Sequence, residues 1–144
     1  MKKGIAIIGI IAACAGFAYS GWHILGTTSK LVKNHSLNSN IKKLEKEKIS
    51  VAVIDMFTLN PIDKELIETY AQKTGKIVTC ENHSIHNGLG SAVAEVIAET
   101  GNAKLRRIGI KERFGQVGTL DFLMNEYELT AEHIYKAAMD LLKD

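Results

Sequence analysis

The segment of this sequence best furnished for chemistry is Glu81-Asn-His-Ser-Ile-His-Asn-Gly-Leu-Gly90. It follows the apolar run Lys76–Cys80 (KIVTC) and leads into a helical pattern from about Ser91 to Thr100. A loop in that position presents free backbone N–H groups and the positive end of a helix dipole, a combination suited to anions. In open α/β sheets, ligands gather at the carboxyl ends of strands. His83, Ser84, His86, Gly88, Gly90 and Ser91 are therefore the candidate anion-binding set, with the two imidazoles adding pH-dependent contacts. A purely structural reading competes with this. Gly88 and Gly90 permit a tight turn and close helix packing, while Asn82 and Ser84 satisfy loop backbone. The glycines lack the full dinucleotide fingerprint, which favours the structural reading.

Two further constellations are conceivable around the same loop. Cys80, Glu81 and His83 have the residue types of a nucleophile set, but successive strand residues point to opposite faces, so Cys80 and Glu81 diverge. Cys80 reads better as a small buried hydrophobe. Cys80, His83 and His86 suggest a metal, but no fourth ligand is in view and no metal site is expected. Catalytic residues are not expected either.

A second candidate region lies after the last strand. Arg113-Phe114-Gly115 reads as a structured turn, with pairing of Arg113 across a subunit interface as the alternative. Phe114, Phe122, Leu123, Met124 and Tyr127 crowd the residues that follow. A helix of about two turns points barely half its residues inward, so part of this group must face outward. Arg113, Phe114, Phe122 and Tyr127 are the candidate interface residues. The alternative is that Phe122 and Met124 cover the end of the sheet.

The elements that would position these residues alternate in type. Thr27, Thr28 and Ser29 suit the cap of a helix to about Lys48, with Leu31, Leu37, Ile41 and Leu44 as its apolar stripe. Ile49–Ile54 is a nearly continuous apolar run, the pattern of a strand buried on both faces. Asn60-Pro61-Ile62-Asp63 reads as a helix start and Gly75 as its left-handed cap. Strands at Lys76–Cys80 and Leu105–Ile110 flank the helix capped by Gly101, and Thr119 and Thr130 each suit the start of a closing helix. Alternating strands and helices with short connections predict a three-layer α/β/α, Rossmann-like domain with a mostly parallel sheet.

The first 21 residues read differently from residues 22–144. Lys2 and Lys3 precede the apolar stretch Ile5–Ala18, the pattern of a signal or membrane segment, and Ile11-Ala-Ala-Cys14 fits a lipoprotein processing site. With Trp22–Leu25 added, residues 4–25 are long enough to span a bilayer at ~1.5 Å per residue. The competing reading is a buried core strand rich in isoleucine, placed at the edge of the sheet. A cytoplasmic location is expected, with membrane association through residues 4–25 as the alternative.

With 144 residues, 46% hydrophobic and 24% charged, the chain has the composition of one globular domain. A net charge of +2 gives no electrostatic footprint for nucleic acid. Lys42–Lys48 (KKLEKEK) alternates in sign, as a solvated helix face does.

Four segments carry a resemblance: Ile49–Asp63 (ISVAVIDMFTLNPID), Lys76–Glu99 (KIVTCENHSIHNGLGSAVAEVIAE), Ile108–Gly118 (IGIKERFGQVG) and Leu129–Leu142 (LTAEHIYKAAMDLL). In order and spacing they resemble the carboxy-terminal domain of the transketolase family, which includes separately encoded C-terminal subunits and deoxyxylulose-phosphate synthase. The resemblance covers roughly the last two-thirds of the chain. It implies an enzyme that holds thiamine diphosphate and Mg²⁺ between two other domains and transfers ketol or aldehyde units on sugar phosphates. No Gly-Asp-Gly segment followed by the expected Asn occurs here. The resemblance therefore implies that this chain alone binds no cofactor and serves dimer and subunit assembly. Its partners would be the cofactor-binding domains and a second copy. A non-catalytic binding module of the same fold is the alternative, and an independent nucleotide binder a third reading.

Overall fold

The computed structural model describes residues 4–9, 35–56 and 58–144. In chain order the elements are β1 (Gly4–Gly9), α1 (His35–Lys46), β2 (Ser50–Asp55), α2 (Lys64–Thr74), β3 (Lys76–Ser84), α3 (Leu89–Thr100), β4 (Lys104–Ile110), α4 (Leu120–Glu126) and α5 (Ala131–Lys143). The four strands form one sheet in the order β2-β1-β3-β4, and every neighbouring pair is parallel. This is the expected α/β architecture.

Alternation along the strands sorts the core into two layers. Ile5, Ile7, Val51, Val78, Cys80 and Ile108 pack on one face with Leu44 of α1 and with Ile134, Ala138, Leu141 and Leu142 of α5. Those four α5 residues recur at helical spacing, so one stripe of the helix meets the sheet. On the other face Ala6, Ile54 and Ile77 meet Ile67 and Ala71 of α2 and Leu89, Val93, Val96 and Ile97 of α3.

The expected edge strand near the N-terminus is instead an inner one. Gly4–Gly9 lies between β2 and β3, with Ile5 and Ala6 fully buried. The physical reason is its composition: a run apolar on both faces suits a strand covered by helices on both sides. Residues 10–34, which hold Ile11–Cys14, Trp22–Leu25 and Thr27–Ser29, lie outside the described residues. Among the described residues no helix is long and apolar enough to cross a membrane.

Helix ends follow local chemistry, with one shift. Within the expected start Asn60-Pro61-Ile62-Asp63, the Asp63 carboxylate caps α2, accepting from the backbone N–H of Leu66 at 2.9 Å. Pro61 precedes the cap and so stays outside the helix. Gly75 and Gly101 take left-handed conformations at φ 64° and 66° and close α2 and α3. At the far end of α5, Lys76 Nζ donates to the Leu141 carbonyl at 2.6 Å, a cation set against the negative end of a helix. Lys42 to Lys48 is exposed apart from Leu44, as its alternating charge predicts.

Candidate functional site

The anion-suited loop is built from β3, the N-terminus of α3 and β4. β3 runs four residues past its apolar portion, so Glu81 is a strand residue. Alternation turns its side chain away from Cys80 and toward α3, where it is 2% exposed. One oxygen accepts from Leu89 N and the other from Gly90 N, both at 2.8 Å. The donors that an external anion would use are thus held by an anion supplied from within. Two hydrogen bonds and the helix dipole compensate this carboxylate for its loss of water.

Three glycines make the arrangement possible. A Cβ on Gly88 would overlap Glu81 Oε2. At Gly90 it would lie 2.8 Å from the Arg107 side chain, and at Gly109 2.9 Å from the His83 carbonyl. The glycines therefore set the distance between α3, β3 and β4, and Gly109 completes the set although nothing in the sequence singles it out. Arg107 extends along Gly90 and donates to the Ile85 carbonyl at 2.9 Å. Ser91 Oγ donates to the same carbonyl at 3.1 Å and accepts from Asn87 N at 3.0 Å. Ser84 Oγ accepts from His86 N at 3.1 Å. Both serines of the candidate set thus hold the turn.

The imidazoles face outward. His83 and His86 are exposed, and His86 Nε2 lies 3.7 Å from a Glu112 carboxylate oxygen that is itself largely exposed. Cys80 is buried on the opposite face of the sheet, so Cys80, Glu81 and His83 do not converge. Among the described residues no group of three His, Cys, Asp or Glu is placed to hold a metal ion. Thr79, fully buried two residues before Glu81, has a hydroxyl with no hydrogen-bond partner. Sequence reasoning missed the capping role of Glu81. The available signal was a carboxylate ending an apolar strand eight residues before a Leu-Gly helix start.

The second candidate set divides in two. Arg113 and Tyr127 bond to groups of their own chain, although Arg113 is exposed. Arg113 donates to the Glu126 carbonyl at 3.1 Å, pairs with the Glu126 carboxylate, and lies 5.6 Å from the Tyr127 ring centre. The Tyr127 hydroxyl accepts from Gln116 N at 2.8 Å and donates to the Phe114 carbonyl at 3.3 Å. Phe114 and Phe122 point outward, at 98% and 49% exposure. Met124, by contrast, packs against the core.

Comparison with known proteins places this geometry in a family. The family described as "Transketolase, C-terminal domain" matches residues 32–134. The chain belongs to the transketolase C-terminal domain family. It is 46% identical over 101 residues to a putative transketolase C-terminal section of Methanocaldococcus jannaschii, covering 69% of this chain and 31% of that protein. It is 40% identical over 100 residues to a 6-deoxy-6-sulfo-D-fructose transketolase subunit of a Clostridium species, again 69% of this chain and 31% of the relative. A 1-deoxy-D-xylulose-5-phosphate synthase of Heliobacterium modesticaldum is 40% identical over 99 residues, 68% of this chain and 15% of that enzyme. A solved structure titled as a split gene transketolase, an inactive beta4 tetramer, superposes with a TM-score of 0.74 and 31% identity over 99% of this chain and 40% of that one. This transketolase C-terminal domain therefore spans a third or less of the curated relatives named here.

Proposed function

We propose that this chain works as the carboxy-terminal section of a thiamine-diphosphate-dependent enzyme of transketolase type, in assembly and not in bond-making. The complete enzyme would move ketol or aldehyde units between sugar phosphates in the cytoplasm. One observation carries the reading: the matched region corresponds to 31% of relatives named as a transketolase subunit and a C-terminal section. The chemistry of the complete enzyme belongs to its cofactor, and a protein supplies that cofactor with a binding site and orientation.

The α3 N-terminus does not fit that cofactor. A diphosphate needs free N–H donors, and those of Leu89 and Gly90 are engaged by Glu81. A second negative charge brought beside the buried carboxylate would meet repulsion without compensation. Thiamine diphosphate and Mg²⁺ are accordingly assigned to domains that partner this one, with this section shaping how those domains and further copies assemble.

Titration calorimetry of the chain with thiamine diphosphate and Mg²⁺ tests the assignment. No saturable binding is expected, and saturable micromolar binding would overturn it.

A further inference from the structure

We propose that the open edge of β4 takes up a short, extended, acidic segment of a partner polypeptide as an added strand. β4 stands last in the order β2-β1-β3-β4, so one side of its backbone has no neighbouring strand among the described residues. Two hydrogen bonds fix which groups lie on that side. Lys104 N donates to the Gly75 carbonyl at 2.9 Å, and the Ile110 carbonyl accepts from Ile85 N at 3.0 Å, so the even-numbered residues of β4 turn their backbone groups toward β3. In a parallel ladder that direction alternates from residue to residue. The N–H and C=O groups of Leu105, Arg107 and Gly109 therefore face away from the sheet. Leu105 and Arg107 are half-buried and Gly109 is buried, so the row is open over its first part and suits a short strand.

The side chains along this edge select the partner by charge. From Ala103 to Lys111 the chain carries Lys104, Arg106, Arg107 and Lys111 and no acidic residue. Alternation puts Arg106 on the face of the sheet that carries α5, where it meets Asp144 at 3.4 Å. It puts Arg107 on the face that carries α3, where it extends along Gly90. The Arg107 guanidinium donates to the Ile85 carbonyl, a neutral group, so that bond leaves its charge uncompensated. The Arg106 side chain stays 47% exposed, and a guanidinium has donors enough for a second carboxylate. An incoming strand with acidic residues at two successive positions sends one carboxylate to each face, one toward Arg106 and one toward Arg107.

The same cations turn a second copy of this edge away. Two β4 strands brought side by side would set arginine against arginine, and like charges directly opposite destabilise a strand pair. Cations on an edge strand are a common guard against such pairing. An acidic strand converts that guard into an attraction, with main-chain bonds giving affinity and charge giving the choice of partner. β4 is held extended by its ladder to β3, so the receiving backbone loses little freedom when the strand arrives.

Anisotropy of fluorescein-labelled peptides titrated with the full chain at low salt tests this. The probe is an acetylated hexapeptide of sequence VTDEVT, which should bind saturably at submillimolar concentration and weaken as salt rises. VTKKVT should not bind. Neither should VTDEVT with every backbone nitrogen methylated, which keeps both carboxylates and loses the donors a strand needs. Arg106→Gln should weaken binding of VTDEVT about three- to fivefold, the size of one exposed charge pair, with unchanged circular dichroism. In hydrogen exchange of the free chain the Leu105 and Arg107 amides should exchange faster than those of Arg106 and Ile108, and VTDEVT should slow the first pair. Absence of saturable binding, equal binding of either control peptide, or an Arg106→Gln chain that binds like the wild type overturns the proposal. So do Leu105 and Arg107 amides as slow in the free chain as those of Arg106 and Ile108, which would mean that the edge is already covered. The assay uses neither cofactor nor sugar phosphate, so its failure leaves the transketolase assignment standing.

Discussion

Removing the Glu81 carboxylate tests whether the loop is a closed structural device. In Glu81→Ala the N–H groups of Leu89 and Gly90 lose their acceptors, which stand at 2.8 Å in the intact chain. Both residues are buried, so water does not readily replace the lost oxygens. Each unsatisfied buried donor costs about 1–3 kcal/mol, and bonds to a charged acceptor lie toward the upper end. The vacated volume adds to this, because Gly88 and Gly90 offer no side chain to fill it. A loss of about 3–5 kcal/mol is expected, from a total of roughly 5–15 for a domain. Glu81→Gln keeps one acceptor oxygen and sets an amide against the other N–H, so about half of that loss is expected. Urea unfolding followed by circular dichroism gives both numbers. Hydrogen exchange at Leu89 and Gly90 should speed up in both variants before global unfolding. A change below about 0.5 kcal/mol in Glu81→Ala, the range of an ordinary surface substitution, would refute the reasoning.

Other outcomes follow from the same structure. Thr79→Val removes an orphaned hydroxyl at nearly constant volume, and should leave stability unchanged or raise it by about 1 kcal/mol in urea unfolding. Gly109→Ala pushes a methyl group to 2.9 Å from the His83 carbonyl, and should cost about 1–3 kcal/mol by the same assay. Lys111 holds the Glu128 carboxyl below its ordinary value, through a hydrogen bond first and charge second. Because the folded value is the lower one, the stabilisation is present above about pH 4.5 and fades as pH falls through the folded value. Both groups are largely exposed, so the effect is under about 1 kcal/mol. Comparing wild type with Lys111→Met across pH, at low and high salt, checks both sign and size. Tyr135 donates to Glu47, and that bond raises its ionisation above the usual tyrosine range. Glu47→Gln should bring the tyrosinate absorbance transition back to lower pH.

Periodicity made the alternation of strands and helices legible, because a helix stripe and a doubly buried strand differ in pattern over short windows. The left-handed caps at Gly75 and Gly101 and the Thr119 cap, which accepts from Phe122 N at 3.4 Å, were legible from residue type. Thr130 does precede α5, but its hydroxyl meets His133 Nδ1 at 2.7 Å and not a backbone donor. β3 reads four residues too short in the sequence because Glu81–Ser84 is polar. Burial of Glu81 depends on a helix terminus reaching it from across the turn, which no local pattern encodes. The brace formed by Arg113 and Tyr127 is hidden for a similar reason, since its partners lie more than two helical turns along the chain. What the sequence did expose was the crowding of aromatics after β4. The structure then separates Tyr127 and Met124, which pack against the core, from Phe114 and Phe122, which do not.

As proposed above, this chain would serve assembly, and the chemistry would depend on other domains. The most direct measurement is a ketol-transfer assay on sugar phosphates with thiamine diphosphate and Mg²⁺. It would be run on the purified chain alone and after mixing with a transketolase polypeptide that carries the cofactor-binding domains but not its own C-terminal third. No turnover by the chain alone and a stable complex with the truncated partner are expected. Turnover by the chain alone, rising with protein concentration and abolished by withdrawing the cofactor, would contradict that proposal.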